Sequence, residues 1–289
     1  VTCGVPQGSI LGPVLFLLFI NDLPSAVSHS VVDIYVDDTA LSFSSTVDEA
    51  PSKIATALQQ DLKELSRWSL QNKMTINAKK TKSMLITGKR LGAKLQNINL
   101  HVEASGTAIE QVICQKLLGV TVDNELNFDK PMDSLVSKLG QRLGLLRKIK
   151  RFLPLKQRIN YYKVMFKQVM LYGATVWAEC SKDNLLRILR MQKRAARVIL
   201  DADTRANSVT LFKQLGWLAF HDEVKVNKCV LAYKRLNENC PAYISELLTT
   251  NHQKQSRSSG RYSNNNFVTP RYRLETEGGR SFSVTTCKL

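Results

Sequence analysis

Residues 31–44, VVDIYVDDTALSFS, decide how the fold is interpreted. β-Branched and aromatic residues on both sides of Asp37 and Asp38 predict two short strands, and the acidic pair lies where a tight hairpin would turn. Two adjacent carboxylates repel each other, so such a turn is costly unless a cation binds there. Mg²⁺ prefers hard oxygen ligands and commonly takes one or two carboxylates together with substrate phosphates. We therefore predict Asp37 as the first metal ligand, with Asp38 beside it.

The same hairpin has two faces, and its acidic pair can also be explained without a metal ion. Strand alternation places Asp33, Tyr35 and Asp37 on one face and Val36 and Asp38 on the other, until the turn breaks the pattern. A solvated acidic turn is the alternative to a metal site, because short motifs recur by chance. The flanking sequence has to decide between them.

Composition indicates a globular intracellular protein. The chain has 289 residues, 44% of them hydrophobic and 22% charged, which is enough for one large or two small domains. Six scattered cysteines without a CxxC motif predict a reducing compartment, the nucleus or cytoplasm, rather than secretion. The apolar run at residues 10–20 contains Pro13 and is shorter than the ~20 residues of a membrane span. The first residues lack the basic region of a signal peptide, and they begin with Val1, which indicates that this is not a natural start.

Positive charge is concentrated in one segment. The net charge is +17, yet residues 1–125 carry 11 basic and 12 acidic side chains, whereas residues 126–200 carry 17 basic and 4 acidic ones. This distribution predicts a polyanionic partner for the central segment. A coating of solvated charge is the alternative, although it would be spread more evenly.

The first twelve residues, VTCGVPQGSILG, predict a strand, a glycine-rich turn and a helix. Ser9 is the expected helix cap, the helix runs to about Phe19, and Pro13 falls in its first turn. An exposed amide such as that of Gln7, on a turn beside Gly8, suits contact with a flat base pair. A plain strand-to-helix connection is the alternative.

The segment after the hairpin predicts a helix and further strands. Apolar residues at helical spacing from Ile54 to Trp68 predict an amphipathic helix that covers a sheet. Strand-like runs follow at residues 83–87, 98–103 and 110–122. A lysine from residues 72–82, NKMTINAKKTK, could neutralise or protonate a leaving phosphate if it lies near the acidic turn. Lysines beside a strand are otherwise solvated edge residues.

Helical periodicity dominates from about Asp129 onward. Three basic amphipathic helices are predicted, beginning near residues 129, 156 and 183, and Gly173 ends the second of them. The third places Arg190, Arg194 and Arg197 beside apolar residues, as expected for a surface that grips a phosphate backbone. Further helices are predicted within residues 211–248, and the chain from about residue 251 is predicted to be irregular or disordered.

Several short motifs follow one another along the chain, and their order is informative. They are GVPQGS with LGP at residues 4–13, YVDD at residues 35–38, Trp68, Asn77, KT at residues 80–81, LGV at residues 118–120, and Tyr172, Gly173, Trp177 and QKRAAR at residues 192–197. Together they resemble the reverse transcriptases of non-LTR (LINE-type) retrotransposons, over nearly the whole chain. Coincidence of five such motifs in the right order is improbable.

The resemblance implies a fold and a division of the chain. The expected class is α+β, with a partial polymerase palm at residues 1–125 in which helices pack on an antiparallel sheet. A basic helical thumb is expected at residues 126–200. A helical extension follows at residues 201–250, and an irregular or disordered tail at residues 251–289.

The resemblance also implies roles for individual residues. Asp37 would coordinate Mg²⁺ or Mn²⁺ with the help of Asp38, and Lys80 would be the candidate proton donor. Gln7 and Gly8 would contact the template and the incoming nucleotide. The strand with Leu118, Gly119 and Val120, together with Thr121, would hold the primer end. The partners would be an RNA template, a DNA primer and deoxynucleotides, joined by in-line attack of the primer 3′-hydroxyl on the α-phosphate.

One departure from the family pattern leads to a further expectation. The family carries another metal-binding Asp on an earlier strand, preceded by fingers, and that region would lie before Val1. The family also usually continues beyond Leu289. We therefore expect the chain as given to extend a primer barely or not at all. The alternatives are a non-enzymatic nucleic-acid-binding remnant of such an element, or an intron maturase or telomerase-type enzyme, which the thumb pattern disfavours.

Overall fold

The structure is a computed structural model of the chain, and it describes residues 8–45, 50–88, 92, 100–250, 267–272 and 278–289. Two compact units are present, residues 1–115 and residues 116–289. Helices and strands are both found, in agreement with the predicted α+β class. Within the described ranges, no helix combines the length and the apolar character that crossing a membrane requires.

The described residues of the first unit include α-helices, a 3₁₀ turn and short strands. In chain order these elements are α1 (Gly12–Ile20), a 3₁₀ turn (Leu23–Ala26), β1 (Val31–Tyr35), β2 (Asp38–Ser42), α2 (Ala50–Gln71), β3 (Lys82–Ser83), β4 (Glu103–Ala104), β5 (Thr107–Ala108) and β6 (Glu110–Gln111). The hairpin of β7 (Cys114–Leu117) and β8 (Val120–Asp123) follows.

The described residues form several small sheets in place of the single antiparallel sheet that was predicted. The described strands form four separate two-stranded sheets: β1–β2 and β4–β5 are antiparallel, β3 pairs with β6 in parallel, and β7 pairs with β8. The predicted strand at residues 83–87 is reduced to a two-residue pairing. The run at residues 110–122 is not one strand, because a left-handed turn at Leu118 and Gly119 folds it into a hairpin.

Local chemistry explains where the first helix begins. The Ser9 hydroxyl accepts a hydrogen bond of 3.0 Å from the amide of Gly12, and Pro13 lies in the first turn, as the sequence predicted. Helix α2 is longer than predicted, but its apolar stripe is buried as expected. The largest cluster around the hairpin consists of Ile20, Leu23, Leu65 and Trp68.

The second unit is mainly helical. Its helices are α3 (Asp129–Ile149), α4 (Leu155–Tyr161), α5 (Gln168–Leu171), α6 (Ala174–Trp177), α7 (Lys182–Ile199), α8 (Ser208–Leu215), α9 (Phe220–Leu236), α10 (Ala242–Leu247) and α11 (Phe282–Cys287). A 3₁₀ turn (Lys150–Phe152) follows α3, and one π-helical segment (Tyr162–Lys167) joins α4 to α5.

All three predicted basic helices are confirmed as helical segments, and their apolar stripes form one continuous core. Leu139, Met170, Ile188 and Ile199 are fully buried in it, and Phe166 from the π-helical segment is 2% exposed. The second predicted helix is therefore α4, the π-helical segment and α5 in succession. Gly173 ends it with a φ of 61°, as predicted. Most of the predicted tail lies outside the described residues, but its described part includes α11.

Candidate active site

Asp37 and Asp38 lie at the turn of an antiparallel hairpin. Tyr35 faces Asp38 across the hairpin, so Val36 and Asp37 form a two-residue turn. Val36 has a φ of 56°, an unusual value for a β-branched residue, which costs roughly 1–3 kcal/mol. Such strain is retained where the surrounding structure enforces it, and it is common at functional sites. The predicted acidic hairpin turn is therefore confirmed, and it is strained.

One face of this hairpin packs and the other is open. Val32, Ile34 and Leu41 pack against the cluster that contains Trp68. Directly opposed residues of an antiparallel pair share a face, so the Tyr35–Asp38 pairing places Asp38 on the face of Tyr35. Strand alternation had placed Asp38 on the other face, and this was wrong because the chain reverses at the turn.

Both carboxylates of the pair are exposed, and neither accepts a hydrogen bond or an ion pair from the residues that the structure describes. Those residues also contain no cluster of three or more metal-ligating side chains. The donor set is thus two unpaired oxygen ligands. This set fits Mg²⁺, which binds through one or two carboxylates and keeps water or phosphate oxygens in its other positions.

Asp61 of α2 anchors the loop that leads into β1. Its fully buried carboxylate accepts hydrogen bonds from the amides of Ser28 (3.2 Å), His29 (3.2 Å) and Ser30 (2.7 Å), and it lies 3.0 Å from Nδ1 of His29. Burial alone would raise the pKa of Asp61, but the hydrogen bonds outweigh it and hold the pKa below its usual value. The base of the hairpin is therefore fixed by one buried acid.

Sequence reasoning missed Asp61, although a signal was present. The acid lies beside Leu62 on the apolar stripe of α2, where a charged residue is unexpected. A buried carboxylate requires donors to compensate its lost hydration. The amides of residues 28–30 supply them, but nothing in the sequence relates that loop to α2.

The structure places the other predicted residues of the first unit as follows. Gly8 is exposed with a φ of 82°, and Gln7 lies outside the described residues. Lys80 is exposed, and its amide donates to Oδ1 of Asn77 at 3.2 Å. Its ammonium forms no ion pair with the described part of the chain, so the structure does not join it to Asp37 or Asp38.

A second turn, at Leu118 and Gly119, is held by the segment that follows α5. The hydroxyl of Tyr172 donates to the carbonyl of Leu118 at 2.5 Å, and the indole of Trp177 donates to the carbonyl of Tyr172 at 2.8 Å. A Cβ on Gly119 would lie 3.1 Å from the Tyr172 ring. Two motifs that are 54 residues apart in the chain, LGV and YG, are therefore in contact.

Gly173 has a defined structural role in that contact. Its φ is 61°, and a Cβ there would lie 2.6 Å from Cγ2 of Val120. An amino acid with a Cβ would be strained in this left-handed backbone and would also clash with Val120, so only glycine fits at this position. The glycine at position 173 therefore allows Val120 of β8 to pack closely against this segment.

The three predicted arginines of α7 are not equivalent. Arg190 and Arg194 are exposed, whereas Arg197 is half-buried and donates from Nη2 to the carbonyl of Ala206 at 3.1 Å. Gln192 of the same motif is buried and donates to Tyr162 and to the carbonyl of Leu218. The QKRAAR motif therefore supplies core contacts as well as surface charge.

The sequence model of the family described as "Reverse transcriptase (RNA-dependent DNA polymerase)" matches residues 1–122, which include both turns. No solved structure matches the chain significantly.

Three relatives illustrate the likeness. The chain is 29% identical to the "Probable RNA-directed DNA polymerase from transposon BS" of Drosophila melanogaster, over 76% of this chain and 25% of the relative. It is 28% identical to the "RNA-directed DNA polymerase from mobile element jockey" of the same species, over 70% of this chain and 22% of the relative. It is 26% identical to the "Retrovirus-related Pol polyprotein from type-1 retrotransposable element R1" of Nasonia vitripennis, over 78% and 68%. The chain thus spans about a quarter of the first two relatives.

Proposed function

We propose that this chain is part of an RNA-directed DNA polymerase, the reverse transcriptase of a non-LTR retrotransposon, because residues 1–122 match the reverse-transcriptase family and most of the chain is similar to such polymerases from mobile elements. Its partners would be an RNA template, a DNA primer and deoxynucleotides, inside the cell in the nucleus or cytoplasm. The observation that carries the proposal is the unpaired, exposed acidic pair on a strained hairpin turn within the segment that matches the family. Polymerase chemistry needs oxygen ligands that remain free for a cation.

In this proposal the acidic turn is the cation site of a polymerase palm. Asp37 and Asp38 would hold Mg²⁺ or Mn²⁺, and the bound cation would stabilise the charge that develops on the transferred phosphate. Asp61 would keep the hairpin in place through the loop before β1. Lys80, whose side chain is exposed, would serve as the proton donor, while Gln7 and Gly8 would contact the template and the nucleotide.

The second turn would hold the end of the primer. Leu118, Gly119 and Val120 form a turn whose conformation is fixed by the Tyr172 hydroxyl and by the close approach of Gly173. A rigid turn suits this role, because a small misplacement of a reacting hydroxyl is costly in rate. The following helices would then be the thumb.

Substitution of Arg190 and Arg194 tests the proposal that α7 is part of a thumb. Phosphate contacts release counterions, so log K falls with log salt by roughly 0.9 for each contact on B-DNA. We expect the Arg190→Gln, Arg194→Gln double variant to bind an RNA–DNA hybrid more weakly and with a flatter salt dependence, as measured by fluorescence anisotropy. Arg197→Gln should also destabilise the fold, because its guanidinium holds the Ala206 carbonyl.

The matched control removes the same charge elsewhere. Lys213 and Lys234 are exposed residues of α8 and α9, and their double glutamine variant should leave the slope closer to that of the wild type. An equal change in both double variants would mean that only net charge matters. An unchanged slope for the arginine variant would remove α7 from the nucleic-acid interface.

A further inference from the structure

The end of α3 and the start of α4 form a compact basic surface whose residues have no individual role in the proposed function. Residues 147–156 read RKIKRFLPLK and run from the last turn of α3 through a 3₁₀ turn to the first turn of α4. We call this segment the basic tip. Its exposed cations are Arg147, Lys148, Arg151 and Lys156.

Most of the positive charge of the basic tip is not neutralised locally. No Asp or Glu occurs anywhere in residues 134–178. Asp201 pairs with Lys150 and Arg158, which are the more buried cations of this region. The four exposed cations form no ion pair with the part of the chain that the structure describes. The surface therefore remains available to an external anion.

Helix stability does not explain all of these charges. Arg147 and Lys148 lie in the last turn of α3, where cations interact favourably with the helix dipole. Lys156 lies in the first turn of α4, where a cation is unfavourable. The helix dipole therefore accounts for Arg147 and Lys148 but not for Lys156.

An exposed aromatic ring lies among the cations. Phe152 is 71% exposed, and the guanidinium carbon of Arg151 lies 4.6 Å from the centre of its ring. A single exposed apolar side chain is ordinary, but a ring with a stacked arginine and three further cations is the combination that holds single-stranded nucleic acid. In sites of this kind, bases stack on the aromatic ring while phosphates contact the cations.

The backbone on both sides of Phe152 is held by hydrogen bonds from one arginine. Nε of Arg158 donates to the carbonyls of Lys150 (3.1 Å) and Leu153 (2.8 Å), and its Nη1 donates to the carbonyl of Ile199 (3.1 Å). Pro154 fixes a further dihedral angle after the 3₁₀ turn. Because the turn is already ordered, little conformational entropy is lost when a ligand binds.

From these observations we propose that the basic tip binds single-stranded nucleic acid. One unpaired base stacks on Phe152, and the neighbouring phosphates contact Arg147, Lys148, Arg151 and Lys156. The inference rests on the proposed function, since it describes where the polymerase holds an unpaired strand. RNA and DNA share this chemistry, so separate RNA and DNA measurements identify the strand.

The experiment measures binding of the 289-residue chain to labelled oligo(rU), oligo(dT) and a blunt DNA duplex by fluorescence anisotropy across a salt series. Phe152→Ala should weaken binding to at least one single strand by roughly fivefold to a hundredfold at every salt concentration. Phe152→Tyr should bind like the wild type. The double variant Lys148→Gln, Arg151→Gln should instead reduce the salt slope by roughly 0.7 for each lost contact.

Two controls make the result specific. Tyr243→Ala removes another exposed aromatic ring, from α10, and should leave the affinity unchanged. Phe152→Leu should bind as weakly as Phe152→Ala if stacking is the cause. Equal binding of Phe152→Ala and the wild type to both single strands would overturn the proposal. So would an equal loss of affinity for the blunt duplex, or displacement of the strands by polyglutamate at matched charge. Hybrid binding through Arg190 and Arg194 is measured separately, so either proposal can fail alone.

Discussion

The hairpin turn at residues 36–37 and the hairpin turn at residues 118–119 are held in opposite ways. The turn at Val36 and Asp37 is exposed, and its carboxylates have no partner among the described residues. The turn at Leu118 and Gly119 is fixed by the Tyr172 hydroxyl and by the close approach of Gly173 to Val120. The first turn offers ligands, whereas the second fixes a strand in position. We infer that they carry different parts of one function.

The surroundings of the two turns differ in the same sense. Small clusters of buried side chains support the first hairpin, and Asp61 anchors its base through three amides. The second hairpin packs on a continuous core that extends through α3, the π-helical segment and α7. A buried acid thus supplements small apolar clusters in the first region, whereas a continuous apolar core supports the second.

The largest expected effect concerns the packed region. Phe166→Ala removes a ring that is 2% exposed, and it should lower the free energy of unfolding by about 3–5 kcal/mol. The control Val164→Ala alters a side chain that is 65% exposed on the same π-helical segment, and it should change this free energy by less than about 0.5 kcal/mol. Urea denaturation measures both. Equal effects would contradict the packing described for this segment.

The anchored region should respond to the loss of one charge. Asp61→Asn replaces an acceptor of several hydrogen bonds and should lower the free energy of unfolding by about 1.5–3 kcal/mol near neutral pH. Glu64→Gln, on the same helix, affects a more exposed acid that pairs with Arg67, and it should cost about 0–1 kcal/mol. Similar values for the two variants would remove Asp61 as the anchor.

The pH dependence of stability tests the anchoring role of Asp61. The pKa of Asp61 is lower in the folded protein than its usual value of 3.8, so the unfolded chain binds this proton more readily. The contribution of Asp61 is therefore complete above about pH 4 and is lost as the pH falls through the folded pKa. Thermal melting between neutral pH and pH 3 should show a steeper loss for the wild type than for Asp61→Asn. Parallel curves would contradict this assignment.

The smallest expected effect concerns the second turn. Gly173→Ala introduces a Cβ 2.6 Å from Val120 in a left-handed backbone, and it should cost about 1–3 kcal/mol. Gly216→Ala has a similar φ of 65° but open space around the new Cβ, so it isolates the backbone cost of roughly 1–2 kcal/mol. Thermal melting of both variants gives the cost of the contact. No difference between them would mean that the close approach contributes nothing.

The sequence predicted what depends on local pattern. Strand alternation and the acidic pair gave the first hairpin, and the 3.6-residue period gave α2, α3 and α7. Contacts between distant segments could not be predicted, because periodicity does not say which loop meets which helix. The loop at residues 28–30 meets Asp61, and Tyr172 meets Leu118, 54 residues earlier. The hydrogen bond from Arg197 to the carbonyl of Ala206 was not predicted for the same reason.

Binding of a divalent cation at the acidic turn tests the central claim most directly. Mn²⁺ binding to the 289-residue chain is measured by electron paramagnetic resonance for the wild type, Asp37→Asn and a control, Glu246→Gln, which alters an exposed acid of α10. We expect one weak site in the wild type and in the control, and its loss in Asp37→Asn. Equal Mn²⁺ affinity in all three proteins would contradict the assignment of the acidic turn as a cation site.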